Sequence, residues 1–326
     1  MKSPELQPIV RTMFADLVQQ VETAPPAGSV YLRTRDQIEY IYAKIPVGAT
    51  RLDRFVGKAG EPEAEKQAAA LRTGTELAKR RREIVAMLRR HRVAAPDRAF
   101  GTALDAIAFA GLFGQGAVLV GTGAYMMMEP LVGSRLPAPT LMTGDLDLAI
   151  AQLAITTDPP ERMEDVLRRA DPTFTGIPQL DSRHPSSRFR NAEGFLVDLL
   201  TPTRRRTDRN PMPLKQLSAG AAPLQHLDWL IEEPVPTIAL WGAGVPVSVP
   251  QPARFAIHKL ILAQRRDPAN RPKRTKDLDQ AKALIETLLR FDRYALMDAL
   301  EIAKAKGRQG WAQPIDRSLN ELDLEL

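Results

Sequence analysis

The stretch "TGDLDLAI" (residues 143–150) sets two aspartates two positions apart in a run that otherwise has the apolar, branched character of a buried strand. Side chains two apart in a strand share a face, so Asp145 and Asp147 lie side by side while Leu146 and Leu148 point to the core. Two ionised carboxylates this close repel, and burial raises the cost. A cation between them removes it, and Mg²⁺ or Mn²⁺ suits hard oxygen ligands. A third acid, Asp198, stands alone in the apolar run "FLVDLL" (195–200). If that strand pairs beside the first, three carboxylates converge, enough to hold two metals for phosphoryl chemistry. The plainer alternative is that such pairs sit at sheet ends where both acids see water.

Upstream, "VLVGTGAY" (118–125) reads as a strand, a tight turn and a helix start. Gly121 and Gly123 lack side chains that would keep a phosphate from the backbone, and Thr122 adds a hydroxyl. A Rossmann-type NAD site competes for this segment. However, Met126 stands where the third glycine belongs, and Asp145 opens its strand instead of ending it. The sequence contains no P-loop motif.

The 326 residues, 44% of them hydrophobic, are enough for two or three domains. With no cysteine there can be no disulfide or thiolate metal site, which fits a cytoplasmic setting. The four histidines are scattered, so any metal would be held by oxygen. The first ten residues, MKSPELQPIV, lack signal-peptide order, and the apolar stretch 106–128 is broken by Gln115 and five glycines, so no membrane partner is expected. The balance of 45 basic to 39 acidic residues is compatible with a nucleic-acid partner without demanding one.

Residues 5–22 have helical spacing, and 30–56 read as a small antiparallel meander rich in Tyr, Ile, Val and Arg. A long helix is expected over 62–93, with Lys79, Arg80, Arg81, Arg82, Arg89 and Arg90 as a solvated basic face. Another runs from Pro96 to about Phe113, and a further one over 160–170. "SRFRNAEGFLVDLLTP" (187–202) reads as a hairpin turning at 191–194, "TIALWGAGVPVSVP" (237–250) suggests a second, and 253–300 is helical. Met126 to Met128 and Trp229 read as core, as does Trp241, and Asp277 and Asp279 as surface acids or partners of nearby arginines.

"VGTGAY", "TGDLDLAI" and "FLVDLL", in that order, resemble the signature of the nucleotidyltransferase superfamily related to DNA polymerase β. "PARFAIHKLILAQRR" followed by "KRTKDLDQAKALI" (252–285) resembles the helical segment that follows the core in a bacterial branch of it, so the likeness spans about 116–300. The resemblance implies an α/β fold: a nucleotidyltransferase-like mixed sheet core (116–250) between an N-terminal helical and β appendage (1–115) and a C-terminal helical domain (251–326). It implies an enzyme that moves an NMP from an NTP to an acceptor hydroxyl and releases pyrophosphate. Gly121 and Thr122 match the triphosphate-binding turn, Asp145 and Asp147 the metal pair, Asp198 the third acid, and Lys259 a basic residue near the nucleotide phosphates. Thr122 replaces the usual serine or glycine, and the turn lies farther from Asp145 than is usual, so 129–140 should loop out.

In that setting the acceptor is expected to be a nucleic acid, RNA in particular, or else a protein. Arg204, Arg205 and Arg206, together with Arg265, Arg266 and the cations up to Lys276, would hold a polyanion. An inactive nucleic-acid or protein binding module on the same fold is the alternative.

Overall fold

The computed structural model describes residues 4–138, 144–152, 161–181, 183–203, 205 and 207–326. Helix α1 (Pro8–Thr23) opens on a proline and lays Val10, Phe14 and Leu17 against the rest of the chain. Strands β1 (Ser29–Arg35), β2 (Ile38–Val47) and β3 (Thr50–Lys58) form an antiparallel meander in that order. Asp36 and Gln37 turn its first hairpin with positive φ at both positions. The inner face, with Ile41 at its centre, packs on Ala64 and Ala68 of helix α2 (Pro62–Arg90). The basic face of α2 is not wholly solvated: Arg81 is buried, donating to the carbonyls of Gln20 and Ala243. Those carbonyls need partners, so the guanidinium acts as a structural clasp.

Helix α3 (Arg98–Phe109) starts on an Asp97 cap that accepts from the Phe100 N–H, and it ends four residues short of Phe113. Strand β4 (Ala117–Val120) leads into short helices α4 (Gly121–Met126) and α5 (Met128–Val132). Residues 129–138 do not loop out as expected. The buried Glu129 carboxylate accepts from the Ala94 and Leu136 N–H groups and pairs with Arg135, folding the segment back onto the core. Residues 139 and 140 lie outside the described residues.

Strand β5 (Asp145–Ile150) runs antiparallel to β4 and parallel to β8 (Leu196–Pro202). The antiparallel β4–β5 pair excludes a Rossmann βαβ unit, which needs parallel strands. Between β5 and β8 lie helix α6 (Met163–Arg168) and strands β6 (Thr175–Gly176) and β7 (Arg188–Arg190). Along its other edge β8 pairs first with β7, antiparallel, and then with β10 (Ala219–Leu224), parallel. Strand β9 (Met212–Leu214) closes that edge, giving the order β4-β5-β8-β10-β9 in a mixed sheet. Helix α7 (Leu227–Leu230) and the hairpin of β11 (Val235–Ala239) and β12 (Val245–Val249) follow.

The C-terminal helices are α8 (Pro252–Ala263), α9 (Arg271–Phe291), α10 (Arg293–Ala305) and α11 (Gln313–Glu321). Helix α8 is buried nearly all round, with ten of its twelve residues inside, and packs most extensively on α9. One contiguous apolar core takes in Ala43, Leu71, Leu119, Leu148, Val197, Met128, Trp229, Ile257 and Leu284, so all three sequence segments share it. Trp241 is only half-buried at its margin.

Candidate active site

The three acids meet through strand register. Asp147 pairs across β5–β8 with Asp198 and across β4–β5 with Val120, the residue before Gly121. Because Leu146, Leu148, Val197 and Leu199 fill the opposite face, the carboxylates have only one side to emerge on, and that side opens into a cleft. Burial first, then the charges of Asp145 and Asp198, push the Asp147 carboxyl up to about 6, while Lys259 and Lys276 pull against the rise. Among the described residues, Asp145 Oδ1 is buried with no hydrogen-bond partner.

Gly121 sits at φ +65°, and a Cβ there would overlap Asp147 Oδ2. The missing side chain therefore makes room for the carboxylate, a reason for the glycine that the sequence did not disclose. Gly123 lies elsewhere: a Cβ on it would overlap the Phe100 ring, so its smallness serves packing under α4 and not the cleft. Thr122 is buried, and its hydroxyl accepts from Lys276 Nζ at 3.0 Å, tying the turn to α9. Helix α4 has only six residues, too short for its dipole to dominate anion binding.

The opposite wall comes from α8 and α9. Asp277, fully buried, accepts from Lys259 Nζ at 2.7 Å and from Arg266 Nε at 2.8 Å. Its burial alone would raise the carboxyl pKa, but the Lys259 and Arg266 charges outweigh that and hold it below the ordinary value. Burial and then the Lys259 charge depress the Lys276 ammonium. His258, also in this wall, is pushed down to about 3 by burial and stays neutral.

Two residues that sequence reasoning did not place in the site matter here. Arg188 on β7 grips Asp198 with both nitrogens, each at 2.6 Å. A hairpin turning at 191–194 would set 188 opposite 197; the turn is one residue longer, 191–195, and that shift sets Arg188 opposite Asp198. Asp277 was read as a surface acid or an arginine partner; only the packing of α8 on α9 shows that one carboxylate holds two cations. Asp279, by contrast, is exposed.

The proposed acceptor cations divide. Arg266 lines the cleft, whereas Arg265 turns away to donate to Gln225 Oε1 and to the Gly310 carbonyl in the π-turn before α11. Arg205 is exposed on the loop after β8; Arg204 and Arg206 lie outside the described residues. Among the described residues, no three acidic or histidine side chains form a closed metal cage. Asp145 and Asp147 still offer adjacent hard oxygens, one of them unpartnered, while Asp198 is engaged by Arg188. The donor set fits Mg²⁺ or Mn²⁺ through the pair, with Asp198 free to join only when Arg188 lets go.

A carboxylate-lined wall on a mixed sheet, faced by buried cations, defines a class of protein that handles a polyphosphate. A family model described as nucleotidyltransferase matches residues 98–304, and the chain belongs to that family. Its general chemistry is nucleotidyl transfer, with an NTP as substrate. No curated protein and no solved structure matches the chain. Among the described residues, no helix is long and apolar enough to cross a membrane.

Proposed function

We propose that this site transfers an NMP from an NTP to an acceptor hydroxyl, with Mg²⁺ or Mn²⁺ held by Asp145 and Asp147. The observation that carries the reading is the opposition of charge across one cleft: the raised, crowded Asp147 on one wall, and Lys259, Lys276 and Arg266 on the other. The metal, when bound, neutralises triphosphate charge and activates the attacking oxygen. Lys259 and Arg266, prepositioned by Asp277, bind the β- and γ-phosphates and stabilise the departing pyrophosphate. Lys276 holds Thr122, and through it the Gly121 turn, at the phosphate side of the cleft. Asp198 accepts the acceptor hydroxyl's proton once Arg188 shifts, and the freed guanidinium can then meet a phosphate.

The acceptor in this reading is a nucleic acid, RNA first, reached by Arg266 and Arg205, and the setting is the cytoplasm. Incubation with each α-labelled NTP, Mg²⁺ or Mn²⁺, and cell RNA or protein tests the reaction. Label should enter the acceptor and be lost in Asp145→Ala and Asp147→Ala. Unchanged labelling in either variant rules the mechanism out, and folded wild type that labels nothing favours the inactive binding module.

A further inference from the structure

The N-terminal meander has one covered face and one bare one. Ile41, Ala43, Ile45 and Val47 of β2 are buried, while the alternate positions Tyr40, Tyr42 and Lys44 face solvent. Register places Tyr31, Tyr42 and Phe55 in one row across all three strands. The Tyr31 and Tyr42 rings are stacked at 5.8 Å, and the Phe55 ring meets Tyr42 edge-on at 5.4 Å. Phe55 is 56% exposed while its ring lies against those of Tyr40 and Tyr42. Arg33 lies over the Tyr42 ring and Lys44 over the Tyr31 ring, at 5.8 and 5.5 Å. Arg35, Arg51 and Lys58 extend the same face, against Asp53 on it and Asp36, which pairs with Arg35 at the hairpin turn.

We propose that this outer sheet face binds single-stranded nucleic acid, with bases stacked on Tyr31, Tyr42 and Phe55 and phosphates on Arg33, Lys44 and their basic neighbours. Three rings in a row on one sheet face offer π surface to splayed bases, whose faces a duplex keeps closed, once Arg33 and Lys44 turn from the Tyr42 and Tyr31 rings to the phosphates. The excess of cations matches the phosphate backbone. The same excess opposes a face-to-face pair of copies, since a two-fold contact would set like charges against each other. The surface gives the proposed transferase a place to hold its acceptor strand. That link rests on the transfer reading, but the binding does not.

The test is fluorescence anisotropy of the full chain with a labelled single-stranded oligonucleotide, as RNA and as DNA, in EDTA without NTP. Wild type should bind at low salt and weaken steeply as salt rises. Tyr42→Leu/Phe55→Leu should bind about tenfold more weakly per ring lost, with a melting temperature lowered only modestly by the lost cross-strand pairs. Arg33→Glu/Lys44→Glu should bind weakly with a shallower salt slope. If the double leucine variant fails to fold, Phe55→Leu alone carries the stacking test at its exposed position. No binding by wild type, binding unchanged in the ring and charge variants, or equally tight duplex binding that ignores the ring variants would each overturn the assignment, as would a dimer that Phe55→Leu dissolves. Binding as expected alongside no label transfer would instead count against the transferase reading and leave this surface standing.

Discussion

Asp147 carries the most unfavourable charge of the cleft, and the sign of its effect on stability is fixed by that. Between the ordinary carboxylate value of 3.8 and about 6, the folded chain binds a proton that the unfolded chain has released. Stability therefore falls as pH rises through that window, by about 2–3 kcal/mol at most when no cation is bound. Asp147→Asn should melt above wild type at pH 8 in EDTA and lose that advantage as the pH falls toward 4, while transfer is abolished at every pH. A variant no more stable than wild type at pH 8 would show that the crowding is already relieved in the protein. Gly121→Ala is the complementary change. A side chain at φ +65° costs about 1–2 kcal/mol, and here it also displaces the Asp147 carboxylate. Melting temperature should drop modestly and transfer far more; an equal loss in both would make Gly121 a matter of folding alone.

At the scale of elements, the cationic wall depends on one buried side chain linking α8 to α9. Asp277→Ala leaves Lys259 and Arg266 without their shared anion, and breaking a buried pair in this way costs about 3–5 kcal/mol. Chemical denaturation should show a loss of that order, together with loss of the melting shift that NTP gives; a loss below 1 kcal/mol would mean that water screens the pair. This wall was the part the sequence concealed. The strand carrying Asp145 and Asp147 was legible because period-two alternation assigns every side chain a face, and Asp198 stood out as the polar residue in an apolar run. Arg188 was hidden by one residue of register: the turn expected at 191–194 opposes it to Val197, and the longer turn opposes it to Asp198. Helix α9 gave no such sign: its dense lysines, arginines and aspartates have the composition of a solvated surface, and only tertiary packing decides that Lys276 and Asp277 are buried while Lys273 and Asp279 are not. Likewise Arg265 and Arg266 are adjacent in sequence, yet the end of α8 sends one to Gly310 and the other to the cleft. Gly123 misled for the opposite reason, since a glycine wanted by Phe100 looks the same in sequence as one wanted by a phosphate.

In the whole molecule, the cleft lies where the mixed sheet meets the C-terminal helices: β4, β5 and β8 supply one wall, α8 and α9 the other. The two walls are joined across the cleft by Lys276 on Thr122, and beneath it by the common apolar core. In the proposed reaction a metal–triphosphate complex would add a second bridge, the carboxylates holding the cation and the lysines the phosphates. Binding of this kind stabilises the native chain by RT ln(1 + [L]/Kd), about 2.7 kcal/mol at a hundredfold excess over Kd. Each component alone does less: the cation by itself gains nothing from the cationic wall, and the free triphosphate faces Asp145 and Asp147 with like charge. The melting temperature should therefore rise more with NTP and Mg²⁺ together than the sum of the rises with Mg²⁺ alone and with NTP in EDTA. Asp145→Asn should remove that excess while preserving, or increasing, the shift that NTP gives in EDTA, because one repelling charge is gone. A strictly additive response in wild type would place the cation and the triphosphate at separate sites, and the two walls would then not act as one.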